Sequence, residues 1–289
     1  MHQLAGTPPA AADNCVVNFA DSGFVFDIPD HYSDSAQPFT IAAVRKGPGS
    51  QPACVPAFSG TKNVTFSCSY VSSHVGAMVP AFGADNNAGT NLACVSGSNL
   101  TLGLSFNSSG VANANVRYPD AGKINVLASS SGINGSDDFI AVPNKFLVEL
   151  PGNASYVAGV PFNAQVQPLN VSNNLTPSYG QGNVAALTQQ RCQPITSDAK
   201  DGVLSNTTLT FASGIGTATP NWSEVGNADI VATDANYLGQ AKLPITGTSN
   251  LNGTSCKNNS GAAGPFRHTT LQRLSHARPP SLTQASHYQ

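Results

Sequence analysis

Charge is what this chain has least of. Only 10% of its 289 residues are charged and the net charge is −2, against roughly a quarter charged in average soluble proteins. A chain so poor in Lys and Arg offers nucleic acid or an anionic membrane surface nothing to grip. No apolar run approaches the roughly 20 residues of a membrane helix, so no membrane span is expected. Glutamate occurs twice, as Glu149 and Glu224, and tryptophan once, as Trp222. Four of the six histidines (His2, His268, His276, His287) lie in the terminal segments, leaving His31 and His74 for any triad or metal centre. No cysteine sits in a CxxC or CxxH pair, which removes the usual zinc templates. GxxxxGK[ST], GxGxxG and GxSxG are all missing, and with them the phosphate loops and the nucleophile elbow. No catalytic residue, cofactor or metal is expected. MHQLAGTPPAAADNC has no basic end or apolar centre of a secretory leader. For an exported protein that leader is expected in a missing N-terminal part.

What the chain has instead is Gly (27), Pro (20) and many Asn, Ser and Thr, a composition of short strands and turns. It also repeats itself. FVFDIP (24–29) and FLVELP (146–151) both alternate with period two, the mark of a half-buried strand, and end in prolines 122 positions apart. AQPFTIAAV (36–44) aligns with AGVPFNAQV (158–166), which would make Phe39 and Phe162 equivalent core residues. VPAFSGTKNV (55–64) aligns with TPSYGQGNV (176–184), pairing Phe58 with Tyr179. YPDAGKINVLA (118–128) aligns with WSEVGNADIVA (222–232), pairing Tyr118 with Trp222, Asp120 with Glu224, Gly122 with Gly226 and Val126 with Ile230.

A unit of about 100 residues with short alternating strands is a β-sandwich in length and pattern. The fold class expected is all-β: two tandem immunoglobulin-like sandwiches. Residues 1–22 form an N-terminal segment, 23–143 the first sandwich, 144–247 the second, and 248–289 a disordered basic tail with no strand alternation. Tyr118, Asp120 and Gly122, with Trp222, Glu224 and Gly226, mark a structural corner at the top of each sandwich. Gly there can take φ > 0 and the acid can bond neighbouring amides. The short join at Val142-Pro143-Asn144 limits the angle between modules. Each module is expected to unfold separately.

The offset between copies falls to 104 at Gly122 and Gly226, so the first copy holds extra residues, around 68–95. That insertion is too Gly- and Asn-rich to order itself cheaply, and Cys68 and Cys94 bracket it. Their bridge would close a loop of roughly 25 residues, worth about 3 kcal/mol. Cys54 is then left for Cys15, and Cys192 and Cys256 have no assigned partner. An even cysteine count in such a chain suits an oxidising compartment.

The strongest ligand candidate is DIPDHYSD, with Asp27, Asp30, His31 and Asp34, set against a solvated loop whose spacing matches no metal template. Asp137 and Asp138 are adjacent on a strand and face opposite ways, so they cannot share a proton. Trp222 and Tyr237 could stack on a sugar or pack a core.

FDIPDHYSDSAQPFTIAAVRKG, ACVPAFSGTKNVTF, VRYPDAGKINVLAS, GSDDFIAVPNKF and WSEVGNADIVATDANYLG resemble stretches of the MshQ-like bacterial proteins. Those proteins are associated with biogenesis of the mannose-sensitive haemagglutinin pilus. The resemblance runs from about Cys15 to about Gly247 and carries no known catalytic residue. It implies an exported, cell-surface or periplasmic protein, of which this chain would be a fragment. The expected function is a non-catalytic structural or interaction module. Its partners would be other domains of the parent protein or pilus and cell-surface components. A carbohydrate-binding or adhesive module, using the insertion or the His31 loop, is the alternative, and a hydrolase a more distant one.

Overall fold

The structure, a computed structural model, describes residues 22–48, 53–85, 87, 89–151, 156–180, 185–193, 200–250 and 263–267. Among these residues every regular element is a strand. The first sandwich contains β1 (Ser22–Phe26), β2 (His31–Tyr32), β3 (Gln37–Lys46), β4 (Cys54–Pro56), β5 (Gly60–Tyr70), β6 (Ala81–Ala84), β7 (Thr90–Asn91), β8 (Leu100–Phe106), β9 (Val111–Arg117), β10 (Gly122–Ser130) and β11 (Ile133–Val142). One sheet runs β1-β3-β9-β6-β7 with β4 beside β3, and the other runs β2-β11-β10-β5-β8. The second sandwich contains β12 (Lys145–Glu149), β13 (Tyr156–Val157), β14 (Ala164–Leu169), β15 (Ala186–Gln193), β16 (Leu204–Ser205), β17 (Thr210–Ala212), β18 (Ile215–Ala218), β19 (Asn221–Trp222), β20 (Gly226–Asp234), β21 (Ile245–Thr248) and β22 (Ala263–Arg267). Its sheets run β12-β14-β18-β17 and β13-β22-β20-β15, with β21 beside β20 and a small β16-β19 ribbon.

Period-two alternation puts one face of each strand inside. Ile124, Val126 and Ala128 of β10 are fully buried between the sheets, as are Ala228, Ile230 and Ala232 of β20. The duplication is visible in the ladders. In the first copy β2 lies parallel to the end of β11, pairing His31 with Ala141, and Gly122 opposes Ala141. In the second, β13 lies parallel to β22, pairing Tyr156 with Phe266, and Gly226 opposes Phe266. Rings repeat as well. Phe58 meets Phe24 and Phe106 edge-on at 6.2 and 4.9 Å. Tyr179 meets Phe146 and Phe211 edge-on at 5.4 and 5.1 Å. A Cβ on Gly135 would lie 2.2 Å from the Phe24 carbonyl oxygen, and one on Gly247 2.1 Å from that of Phe146. Both glycines exist to let a strand of the opposite sheet close over them.

Val126 and Ile230 hold equivalent buried places, each four residues beyond the corner glycine. Phe39 and Phe162 do not. Ile41 pairs with Phe26 as Val166 pairs with Val148, which makes Phe39 the counterpart of Ala164 and Phe162 that of Gln37. The Asp34 amide donates to the Tyr118 carbonyl at 2.7 Å as the Gly159 amide does to that of Trp222, in agreement with this register. The shared Pro-Phe dipeptide draws the sequence alignment two residues out of step. A slip of two in a strand keeps every side chain on its face, so the hydrophobic pattern does not object.

The described residues of the insertion are part of the fold. Its β6 and β7 extend the first sheet beyond β9, and it buries Phe82, stacked on Phe66 at 5.6 Å, together with Leu92. Cys68 and Cys94 are bonded, S–S 2.03 Å, across a sequence separation of 26. Cys54 and Cys192 are disulfide-bonded too; Cys15 and Cys256 lie outside the described residues. The second sandwich does not stop at residue 247. Ala263–Arg267, within the expected tail, forms β22, and Phe266 is buried against Trp222 at 4.9 Å and Tyr156 at 5.2 Å. The second copy needs this strand as the counterpart of the end of β11. Thr248, Ser249 and Asn250 of the expected tail also belong to the second sandwich, Thr248 as the end of β21 and the other two buried, while residues 251–262 and 268–289, with residues 1–21 of the N-terminal segment, lie outside the described residues.

Candidate functional site

The corner that the repeat marks in the first sandwich stands at the junction with the second. Gly122 has φ 144° and Gly226 φ 130°, values that L side chains rarely adopt. This turn delivers Asp120 between Tyr118 and Ala121, all three buried. The Asp120 carboxylate accepts the Ala121 amide at 2.8 Å. It also accepts, from the second sandwich, the Ser178 amide at 3.1 Å and the Ser178 hydroxyl at 2.7 Å. Glu224 caps the Val225 amide at 3.0 Å in the same way, on the surface.

The insertion supplies the other jaw. The Val75 amide donates to Ser178 Oγ at 2.8 Å, and His74 Nδ1 lies 3.2 Å from Ser178 Oγ, 3.1 Å from the Tyr118 hydroxyl and 3.8 Å from Asp120 Oδ2. The His74 ring stacks flat on Tyr70 at 3.8 Å. Around this cluster, Asn170 Nδ2 donates to the Pro119 carbonyl at 2.9 Å and the Val171 amide to that of Ser33 at 3.1 Å. Asp30 accepts the Ile140 amide at 2.6 Å and, across the junction, the Gln240 side chain. The seam beneath is apolar: Ala121, Ile140 and Val142 of the first sandwich belong to the second sandwich's buried cluster, and Tyr32 packs against it.

Burial pushes the Asp120 carboxyl above its ordinary value, despite the Ser178 and Ala121 bonds and nearby His74. The Tyr118 hydroxyl is pushed up by burial and then by the Asp120 charge. Tyr237 is raised by burial and then by the charges of Asp120 and Asp234. Ser178, His74 and Asp120 are the residue types of a hydrolytic triad, brought together by topology from three distant segments. Their geometry is wrong for it. A triad places serine and carboxylate on opposite ring nitrogens so that a proton passes through the imidazole. Here both sit at Nδ1, and the serine hydroxyl is already spent on the carboxylate. The arrangement is a buried clasp.

The DIPDHYSD residues do not converge. Asp27 is exposed. Asp30 ties β11 and Gln240. His31 is buried, stacks on Phe139 at 5.1 Å and bonds the Pro29 carbonyl through Nδ1 at 2.8 Å. Asp34 pairs with Arg117 at 2.6 Å. Asp30, His31 and Asp34 are each taken by a backbone group or an ion pair. Among the described residues no group of three His, Cys, Asp or Glu is placed to hold a metal ion. Asp137 accepts the Ile28 amide at 2.7 Å while Asp138 pairs with Lys123 at 3.1 Å, on opposite faces. Trp222 and Tyr237 are core residues. Sequence reasoning missed Ser178, Asn170 and Gln240; nothing in the pattern distinguishes them from other turn residues. His74 was visible, but not its partners.

A second feature lies on the flank of the second sandwich. A groove of about 740 Å³ is lined by Asn163, Gln165, Thr208, Thr210, Thr217 and Thr219 among others. Thr210 and Thr217 face each other across β17 and β18. Among the described residues no helix is long and apolar enough to cross a membrane.

Fold and junction together define a tandem immunoglobulin-like protein. Residues 5–142 match the family model described as domain of unknown function DUF6701, first Ig-like domain. No curated protein matches the chain. Similar solved structures include the D0–D1 domain of intimin, at 17% identity over 72% of this chain and 89% of that one, TM-score 0.22. The Yersinia pseudotuberculosis adhesin InvE is similar at 14% over 73% and 54%, TM-score 0.33. The titin I-band fragment I67–I69 is similar at 10% over 80% and 65%, TM-score 0.30.

Proposed function

We propose that this chain is a non-catalytic structural segment of an exported, cell-surface or pilus-associated bacterial protein, which holds neighbouring parts at a fixed distance and angle. The observation that carries it is the Asp120–Ser178 clasp over an apolar seam, closed by His74 and Val75. Modules joined by a swivelling linker have no need to bury a carboxylate between them, since burying a charge costs several kcal/mol unless it is well bonded. The disulfides support an oxidising compartment. Resemblance to MshQ-like proteins supports the pilus association. Distances between spin labels, one on each sandwich, test the reading in dilute solution. A single narrow distribution is expected, broadened in Asp120→Ala/Ser178→Ala. A broad distribution in the unaltered protein sinks the idea.

The alternative, a carbohydrate-binding module, is favoured by one observation. The threonine and amide lining of the flank groove presents uncharged donors and acceptors of the kind that bond sugar hydroxyls. Its contact surface is that groove, since His31 is buried and the insertion is part of a sheet. Glycan-array binding that is lost in Thr210→Val/Thr217→Val would establish it, and an array without signal removes it.

A further inference from the structure

The repeat makes the second sandwich's far pole the counterpart of the pole by which the first sandwich docks. Val225 stands where Ala121 stands, the fourth residue of the corner motif, but Ala121 is 1% exposed and Val225 39%. Glu224 stands where Asp120 stands and caps the next amide as it does. Val203, 63% exposed, lies beside them, with its amide bonded to the Ser223 hydroxyl. β22 ends at Arg267 in the register where β11 ends at Val142.

The opposite end of the first sandwich is the counterpart of the end by which the second one docks, with Ala57, whose amide donates to the Ala43 carbonyl at 2.9 Å, in the place of Ser178. Its Pro56-Ala57-Phe58 turn is the counterpart of Pro177-Ser178-Tyr179, with the same edge-on rings. By the β1/β12 register, Arg45 and Lys46 stand where Asn170 and Val171 touch the neighbouring sandwich. Both are exposed, and both are basic, opposite in charge to Glu224. Phe58 is half-buried where Tyr179 is fully buried against its neighbours.

We propose that the pole formed by Val203, Glu224 and Val225 docks the base of the first sandwich of a second copy of this chain, through Arg45, Lys46 and the Phe58 turn. Such a contact is head-to-tail and does not close on itself, so copies add along one axis. It rests on reading the junction as a built docking geometry. Inside one chain that geometry is helped by a tether, whose effective concentration is about millimolar for a short linker. Between copies no tether supplies that concentration, so association is expected to grow only as the protein approaches it, and to be salt-sensitive, since the paired charges are exposed.

Sedimentation velocity and small-angle scattering of the full chain, from dilute solution to about 1 mM, decide it. The expected result is concentration-dependent growth in length at constant cross-section. Glu224→Arg and Arg45→Glu/Lys46→Glu should each weaken association at least tenfold, and mixing the two variants should restore it. Val203→Lys, at a side chain 63% exposed, places a like charge against the basic base and gives the same loss without touching the Glu224 cap. A chain that stays monomeric throughout, grows by paired rather than linear addition, or associates equally well in all variants overturns the proposal. The reading of the junction is judged apart from this, by the spin-label distances within the dilute monomer.

Discussion

Asp120 is the residue on which the junction turns, and its chemistry has a sign. Burial raises its folded value above that of the unfolded chain, which is near 3.9. A raised acid prefers its proton in the folded state. Its contribution to stability is therefore fully present below the unfolded value and is lost as pH rises through the folded one. Asp120→Asn keeps an oxygen acceptor for the Ala121 and Ser178 amides and never ionises. It should match or exceed the unaltered protein in urea unfolding at pH 7.5, and lose that advantage as pH approaches 4. An Asn variant whose relative stability improves on acidification would refute the assignment. His31 works in the opposite sense. Burial lowers its value below 6.5, so its contribution is present above 6.5 and falls away as pH drops. His31→Phe should lessen acid loss of stability in the first sandwich, read by the same titration. At this scale the sequence was legible where a residue answers to its neighbours along the chain. The corner acid and glycine are local needs, and both corners have them. Asp120's partners come from a loop 58 residues away, and Ser178 looks like any turn serine until the sandwiches meet.

Among elements, β22 tests how strands were read. Gly264 and Pro265 hide its alternation, and it is separated from β21 by residues that the first copy lacks, where β11 is continuous. A pattern search has nothing to join the two pieces. The ladder does: Phe266 opposes Gly226 as Ala141 opposes Gly122. A chain ending at Gly247 should lose the second sandwich's cooperative unfolding, because Trp222, Tyr156 and Phe162 all pack on Phe266. A chain ending at Arg267 should keep it. Phe266→Ala in the full chain is expected to cost about 3–5 kcal/mol. Gly247→Ala and Gly135→Ala should cost about 1–3 kcal/mol or more each, since the added carbon meets backbone that cannot move aside. Equal stability of the chains ending at 247 and 267 would mean that β22 contributes nothing. The insertion shows the opposite failing. Its Gly and Asn content suggested little order, yet a few apolar residues and one bridge suffice: Phe82 and Leu92 enter the core, and Cys68–Cys94 closes the segment.

For the whole molecule, the question is whether two sandwiches make two folding units. The repeat alone argues that they do, each with its own core and its own large corner aromatic. The junction argues otherwise, because Ala121, Ile140 and Val142 are buried in the second sandwich's cluster and a carboxylate is desolvated between the modules. Unfolding either partner would leave the other with an exposed apolar face and Asp120 without Ser178, so the two stabilities are linked. Tyr118 and Trp222 are equivalent in the repeat and fully buried, but only Tyr118 touches the junction, through His74. Each replaced by Ala should cost about 3–5 kcal/mol. Trp222→Ala is expected to lower chiefly the second sandwich's transition in calorimetry. Tyr118→Ala should lower the first and draw the second down with it. Adding Asp120→Ala to either variant should draw the transitions further apart, because it removes the carboxylate's two bonds to Ser178 while the apolar seam and the Asn170 and Val171 contacts remain. If the two domains already melt independently in the unaltered protein, the clasp contributes no coupling, and spacing would have to come from the three-residue join alone.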